Sequence, residues 1–124
     1  MSAPSPRKRI LAVDDEPTIL DIMRDQFADS YDVDTATSAE AAMELFNQRR
    51  PDLVILDVRL PEIDGLTMLT FLRTADPDVP VIVVTGERDV AIAAQAIAAG
   101  AFGYVPKPFN LAYMEHLAAA ATGS

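Results

Sequence analysis

The chain of 124 residues lacks cysteine, so no disulfide framework can stabilise it, which is compatible with a reducing, cytoplasmic compartment. It also lacks any apolar run near the roughly 20 residues that a membrane span requires. Basic residues are few, ten against 19 acidic ones, and the net charge is −9. Because phosphate backbones favour clustered Lys and Arg, this composition argues against nucleic-acid binding. Half of the residues are hydrophobic, which predicts one globular domain.

Five short apolar segments alternate with five segments of helical periodicity. The apolar segments cover residues 9–13, 31–36, 53–56, 79–84 and 102–105. Alternation with helical crossovers predicts an α/β fold, a doubly wound (βα)5 domain with a parallel sheet and helices on both faces. We predict that the domain spans residues 9–121, after a flexible lead-in of residues 1–8 and before a tail of residues 122–124.

Helix boundary signals support this reading. Pro17 suits the first turn of a helix, Gly100 suits a helix C-terminus, and four residues are predicted N-caps: Ser38, Asp64, Asp89 and Asn110.

Polar side chains follow four of the apolar segments. The first is followed by Asp14 and Asp15, the third by Asp57, the fourth by Thr85 and the fifth, closely, by Lys107. Because ligands of open parallel sheets bind outside the carboxyl ends of the strands, we expect these residues to converge. Carboxylates at one place suit Mg²⁺. The next acid, Glu16, is interpreted as favourable charge at a helix N-terminus.

Asp57 is the predicted nucleophile of this constellation, because a carboxylate can accept a phosphoryl group as an aspartyl phosphate. Thr85 can donate its hydroxyl to a phosphoryl oxygen, and Lys107 can supply a compact positive charge.

These residues resemble the receiver domains of two-component response regulators, the CheY-like family. The resemblance extends from Arg9 to about Leu117 and rests on five motifs in order, namely residues 13–16 (VDDE), 56–61 (LDVRLP), 64–65 (DG), 85–86 (TG) and 107–109 (KPF). It implies a flavodoxin-like sheet of strand order 2-1-3-4-5.

The resemblance also implies the function. A sensor histidine kinase or phosphotransfer protein would phosphorylate Asp57, with Mg²⁺ bound by Asp15, Asp57 and the backbone carbonyl of Arg59, and with Asp14 acting largely through water. Thr85 and Tyr104 would form the switch pair. The domain would control a partner or output domain through its fourth helix, fifth strand and fifth helix, and would not be a turnover enzyme.

Two positions of this sequence match those that tune phosphoryl lifetime in the family, Arg59 and Glu87. Their charges are opposite, so we hypothesise that they pair across the mouth of the pocket and hinder the attacking water. Such a pair would contribute little stability, roughly 0–1 kcal/mol.

The fourth helix is apolar nearly all round, since residues 90–99 contain one polar side chain, Gln95. One interpretation is a contact surface for a protein partner, an output domain or a dimer mate through helices four and five. The other is that alanine is simply a good helix former whose exposure costs little.

Three alternatives to a phosphorylated switch remain. A haloacid dehalogenase-type phosphatase would require an acid two residues after the nucleophile, where this chain has Arg59. A flavodoxin-like cofactor site would require a phosphate-binding loop where Asp14 and Asp15 would repel phosphate. A receiver-shaped interaction module that is never phosphorylated is the third.

Overall fold

The computed structural model describes residues 7–60, 63–86 and 89–123. Five strands and five helices alternate along the chain, in the order β1 (Arg9–Val13), α1 (Pro17–Phe27), β2 (Asp32–Ala36), α2 (Ala39–Gln48), β3 (Leu53–Asp57), α3 (Gly65–Ala75), β4 (Val81–Gly86), α4 (Val90–Ala98), β5 (Gly103–Lys107) and α5 (Leu111–Thr122). The strands pair in parallel in the order β2-β1-β3-β4-β5, which confirms the predicted fold class.

The core forms two layers, one on each face of the sheet. Alternate residues of β3 belong to different layers because successive strand side chains point to opposite faces. Val54 and Leu56 pack with α2, α3 and α4, whereas Leu53 and Ile55 pack with α1 and α5. All five residues of β3 are buried, as expected for a central parallel strand covered on both sides.

Six strand boundaries differ from the prediction. β2 and β5 begin one residue later than predicted, at Asp32 and Gly103, and β4 begins two residues later, at Val81. β3, β4 and β5 run on to Asp57, Gly86 and Lys107. The sequence pattern ended these strands at the last large apolar residue, but backbone pairing continues past it into Thr85 and Pro106. β5 lies at the edge of the sheet, where a proline is tolerated.

Side-chain caps begin three helices as predicted. Ser38 accepts a hydrogen bond from the Ala41 N–H, Asp64 from the Leu66 N–H and Asn110 from the Tyr113 N–H. At the ends of the predicted domain, Thr122 is the last residue of α5, although we had assigned it to the tail. The Lys107–Pro108 peptide bond is cis.

Candidate functional site at the carboxyl edge of the sheet

The register of the central strands brings the predicted site residues together. Val13 lies beside Leu56, so Asp14 and Asp57 follow on neighbouring strands, and Asp57 in turn lies beside Val84, before Thr85. A cleft of about 570 Å³ opens at this edge and is lined by Asp15, Glu16, Asp57, Arg59, Gly86, Asp89 and Lys107. The structure therefore brings Asp14, Asp15, Asp57 and Lys107 together, whereas Thr85 lines a neighbouring cavity.

Lys107 is the central cation of the cleft. Its ammonium Nζ donates to Asp57 Oδ2 at 3.0 Å and lies 3.3 Å from Asp14 Oδ2 and 3.9 Å from Glu16 Oε1. Burial by itself lowers the pKa of Lys107, but the hydrogen bond to Asp57 and the charges of Asp57 and Asp14 outweigh it and raise that pKa above its ordinary value. Lys107 is therefore protonated and positively charged at neutral pH.

Asp14 is fully buried beside this ammonium. Its Oδ1 accepts a hydrogen bond of 2.9 Å from the Glu16 N–H. Among the described residues its Oδ2 has no hydrogen-bond partner, because Lys107 Nζ is close enough for an ion pair but not in hydrogen-bond geometry. Burial raises the pKa of Asp14 to about 6, the Glu16 N–H and Lys107 oppose that shift, and the neighbouring Asp57 adds to it.

Asp57 is held by both of its oxygens. Oδ1 accepts a hydrogen bond of 2.9 Å from the Arg59 N–H, while Oδ2 is bound by Lys107. The segment after Asp57 is fixed by Gly65, whose N–H donates to the Val58 carbonyl at 3.1 Å. A Cβ at position 65 would lie 2.2 Å from the Val58 Cα, so this close approach requires glycine.

The acidic residues of the cleft fit a hard divalent cation. Carboxylate oxygens of Asp14, Asp15 and Glu16 lie within 4.8 Å of one another, and Asp15 lines the same cleft as Asp57. Mg²⁺ would suit this all-oxygen donor set, which includes the Oδ2 of buried Asp14, an atom that has the Lys107 ammonium nearby but accepts no hydrogen bond among the described residues. Glu16, for which we favoured the role of helix-terminal charge, lies in the same cluster.

Thr85 and Tyr104 line a second, smaller cavity of about 140 Å³. Thr85 is buried at the end of β4, whereas the Tyr104 side chain on β5 is exposed by 42% of its surface. Asp89 and Val90, at the start of α4, complete much of the wall. The predicted switch residues thus face the same space, which adjoins the N-terminus of α4.

Arg59 forms an ion pair with the residue directly before α4. It donates from Nε to Asp89 Oδ2 at 2.9 Å, and its Nη2 donates to the same oxygen. Glu87 lies outside the described residues, so the predicted Arg59–Glu87 pair stays a prediction. Asp89 is the N-cap residue of α4, but its carboxylate bonds to no N–H of the first turn, contrary to the capping role that we predicted. The ion pair explains that difference.

Large apolar side chains are exposed around α4, β5 and α5. They are Val90, Ile97, Phe102, Tyr104 and Tyr113. Val90 and Ile97 bear out the expectation that the outer face of α4 is apolar. Among the described residues, these are five of the seven exposed large apolar side chains, the others being Ile22 on α1 and Phe71 on α3. Exposed apolar patches are typical of contact surfaces.

Comparison with known proteins identifies the family. Residues 10–119 match the response regulator receiver domain family. The chain is 38% identical over 104 residues to the response regulator MprA of Mycobacterium leprae, covering 83% of this chain and 46% of MprA, and equally identical over the same length to the regulatory protein AtoC of Escherichia coli, of which 23% is covered. The chain belongs to the response regulator receiver domains of two-component signalling.

Solved structures agree with this assignment. A response regulator receiver domain protein from Clostridium thermocellum superposes with a TM-score of 0.88 at 30% identity, covering 94% of both chains. NtrX from Brucella abortus superposes with a TM-score of 0.90 at 32% identity, covering 94% of this chain and 27% of that one.

The chain spans less than half of the length of the two curated relatives. Within the described ranges, no helix combines the length and apolar character of a membrane span.

Proposed function

We propose that this receiver domain, spanning residues 9–121, is a phosphorylation-driven switch in which Asp57 accepts a phosphoryl group from a sensor histidine kinase or a phosphotransfer protein in the cytoplasm. The observation that carries the proposal is the environment of Asp57. Its carboxylate is buried at the bottom of an open cleft, with one oxygen bound by a backbone N–H and the other by the Lys107 ammonium. A buried acid held in this way is positioned to react and shielded from bulk water.

The transfer is a displacement at phosphorus. A carboxylate oxygen of Asp57 forms the new P–O bond while the P–N bond to the donor imidazole breaks, and the electron pair of that bond returns to the imidazole nitrogen. Lys107 stabilises the negative charge on the transferring oxygens, and its raised pKa keeps it protonated throughout. Hydrolysis of the aspartyl phosphate later restores Asp57 and releases inorganic phosphate, so the chain promotes its own chemistry without being a turnover enzyme.

Asp14, Asp15 and Asp57, with the backbone carbonyl of Arg59, would hold a Mg²⁺ ion, and Glu16 lies near enough to contribute directly or through water. When bound, the ion neutralises charge that develops on the phosphoryl oxygens. Without the ion the adjacent carboxylates repel one another. The same residues would therefore bind the cation and depend on it to offset their repulsion.

The docking site for the phosphodonor is an apolar cleft of about 340 Å³ beside the acidic one. It is lined by Ile19, Ile22, Lys107, Pro108, Phe109 and Leu111. Because Lys107 lines both clefts, a helix of the donor seated here would lie next to Asp57. Support comes from the exposure of Ile22, an apolar residue on the surface of α1.

The output is a change at the surface formed by α4, β5 and α5. Thr85 would turn towards the phosphoryl group, and Tyr104 would move into the cavity that the two residues share. A downstream protein, an output domain or a second copy of the chain would bind the exposed apolar residues of that surface. The relative named MprA is itself a response regulator of about twice this length, which is compatible with an output domain.

Incubation with acetyl phosphate tests this function. We expect intact-mass spectrometry to show the addition of one phosphoryl group that requires Mg²⁺ and is absent from Asp57→Asn. The matched control is Asp25→Asn, an exposed acid on α1 outside the cleft, which should react like the wild type. If the wild type is not modified in the presence of Mg²⁺, the chain is an interaction module and the proposal is wrong.

A further inference from the structure

The ion pair between Arg59 and Asp89 connects the acidic cleft to the beginning of α4. Arg59 lies two residues after Asp57 and donates its backbone N–H to the Asp57 carboxylate. Its guanidinium reaches across the cleft to Asp89, the residue directly before α4. The Arg59 side chain is 67% exposed and that of Asp89 only 15%, so the guanidinium lies on the solvent side and the carboxylate against the protein.

The pair is packed against Gly86. A Cβ at that position would lie 2.8 Å from Asp89 Oδ2 and 3.8 Å from Arg59 Nη2. The space that the pair occupies therefore exists because residue 86 has no side chain. The contact is a packed feature of the β4–α4 corner and not a chance approach of two long side chains.

α4 begins without the cap that its sequence offers. Three other helices begin with a residue whose side chain accepts a hydrogen bond from a backbone N–H of the first turn, namely Ser38, Asp64 and Asn110. The carboxylate of Asp89 is bound by Arg59 instead. Among the described residues, the first hydrogen bond of α4 runs from the Ala93 N–H to the Asp89 carbonyl, and the amides of residues 90–92 have no acceptor within the helix. An aspartate at this position is one of the best side-chain acceptors for them.

A phosphoryl group on Asp57 would compete for the same guanidinium. It carries close to two negative charges and three acceptor oxygens, and arginine binds phosphate in bidentate fashion more strongly than it binds one carboxylate oxygen. Arg59 is only two residues from Asp57, so its guanidinium is held close to the phosphoryl group. The released Asp89 carboxylate could then accept hydrogen bonds from the first-turn amides of α4, so both side chains would have a favourable partner after the exchange.

We propose that Arg59 and Asp89 form a latch that phosphorylation opens. Without the phosphoryl group, Asp89 holds Arg59 across the cleft and α4 is uncapped. Phosphorylation of Asp57 transfers Arg59 to the phosphoryl oxygens and releases Asp89, which caps the first turn of α4. Because Asp89 also lines the cavity of Thr85 and Tyr104, the exchange changes the wall of that cavity. This inference rests on the proposed phosphorylation and adds a direct connection from the cleft to α4.

Amide hydrogen exchange at Ala91 and Ile92 reads out the cap. In the wild type we expect these amides to exchange roughly fivefold more slowly, the factor that a typical helix cap provides, when Mg²⁺ and the phosphoryl analogue beryllium fluoride are added together. Mg²⁺ alone should leave them unchanged. The Arg59 Nε–H resonance should shift at the same time, because the side chain changes partner.

Two variants separate the latch from a merely structural role. Asp89→Ser keeps a capping oxygen but cannot form the ion pair, so its α4 amides should be protected in both states. Asp89→Ala can do neither, and its amides should be unprotected in both. Amides of the buried strand β3 serve as the control for intact folding.

The outcomes distinguish this proposal from the one on which it rests. If acetyl phosphate does not modify the wild type, both are wrong. If Asp57 is modified but Ala91, Ile92 and the Arg59 Nε–H are unaffected, the latch is wrong and the switch function stands. A double-mutant cycle between positions 59 and 89 should give a favourable coupling free energy between the two side chains without beryllium fluoride and none with it. An equal coupling free energy in both states would also overturn the latch.

Discussion

The acidic cleft and the surface of α4, β5 and α5 deviate from a well-packed protein in opposite ways. The cleft buries the charged groups Asp14 and Asp57 with one nearby ammonium, that of Lys107. The α4 side does the reverse and exposes large apolar groups such as Val90 and Ile97. Each arrangement costs stability in the isolated domain, since buried like charges repel and exposed apolar surface remains hydrated.

The difference indicates what would relieve each region. A cation or a phosphoryl group changes the charge balance of the cleft, whereas another protein is needed to cover the apolar surface. We therefore expect substitutions in the cleft to change stability and ion binding, and substitutions on the α4 side to change association with little effect on stability. Four predictions test this contrast, from the largest expected effect to the smallest.

Gly65→Ala should have the largest effect. The new Cβ would overlap the backbone of Val58, so the segment after Asp57 must move, and we expect the free energy of unfolding to fall by about 3 kcal/mol or more. Gly103→Ala, at the start of β5 and away from the cleft, is the control, because its Cβ would make ordinary contacts of 3.4 and 3.5 Å with Leu117. Urea unfolding of the two variants measures the difference; equal losses would contradict it.

Asp14→Asn should stabilise the protein without Mg²⁺. The pKa of Asp14 is raised to about 6 in the folded state, so the folded protein prefers the neutral acid and stability is lost as the pH rises from about 4 through 6. At pH 7.5 we expect the variant to be more stable by on the order of 2–3 kcal/mol. Below pH 4 the two proteins should converge. Asp25→Asn, exposed on α1, should show no such pH dependence.

Mg²⁺ should stabilise the wild type by relieving the same repulsion. At about ten times its dissociation constant, the ion should raise the free energy of unfolding by about 1.4 kcal/mol. Asp14→Asn should lose most of this increment, since it removes the buried negative charge of the Asp14 carboxylate. Thermal unfolding with Mg²⁺ and with K⁺ at matched ionic strength measures this increase in stability. An equal increase with both salts would indicate general screening of charge and contradict a specific Mg²⁺ site.

Ile97→Ser should change the free energy of unfolding by less than about 0.5 kcal/mol, because nearly half of the side chain is exposed. Its effect should instead appear in self-association. Sedimentation of the wild type with Mg²⁺ and beryllium fluoride should show a complex that the variant weakens. Leu72→Ser, at a buried position of α3, is the contrasting substitution and should destabilise strongly. Unchanged association would remove Ile97 from the contact surface.

Much of the fold could be predicted because local signals agreed with one another. The doubly buried pattern of β3, the caps at Ser38 and Asn110 and the acids after β1 each predicted what the structure contains. Strand ends were predicted less well, because hydrogen-bonded pairing continues into Thr85 and Pro106 regardless of their hydrophobicity.

Side-chain partners in the cleft were the least predictable part. Sequence reasoning paired Arg59 with Glu87 and predicted Asp89 as an N-cap, so it did not anticipate the ion pair between Arg59 and Asp89. A capping position and an ion pair compete for the same carboxylate, and sequence spacing cannot rank them. The burial of Asp14 was likewise not predicted, because the two residues that follow it, Asp15 and Glu16, are acidic and exposed.

The two-layered core has a consequence for how many proteins the domain can hold. α1, which carries Ile22, packs on one face of the sheet, and α4 packs on the other. α5 packs on the same face as α1 and belongs to both regions, since Leu111 lines the donor cleft and Tyr113 is exposed on the output surface. A donor seated against α1 therefore leaves α4 accessible but lies against the start of α5. A partner that binds α4 alone can be held together with the donor, whereas one that also needs the start of α5 competes with it.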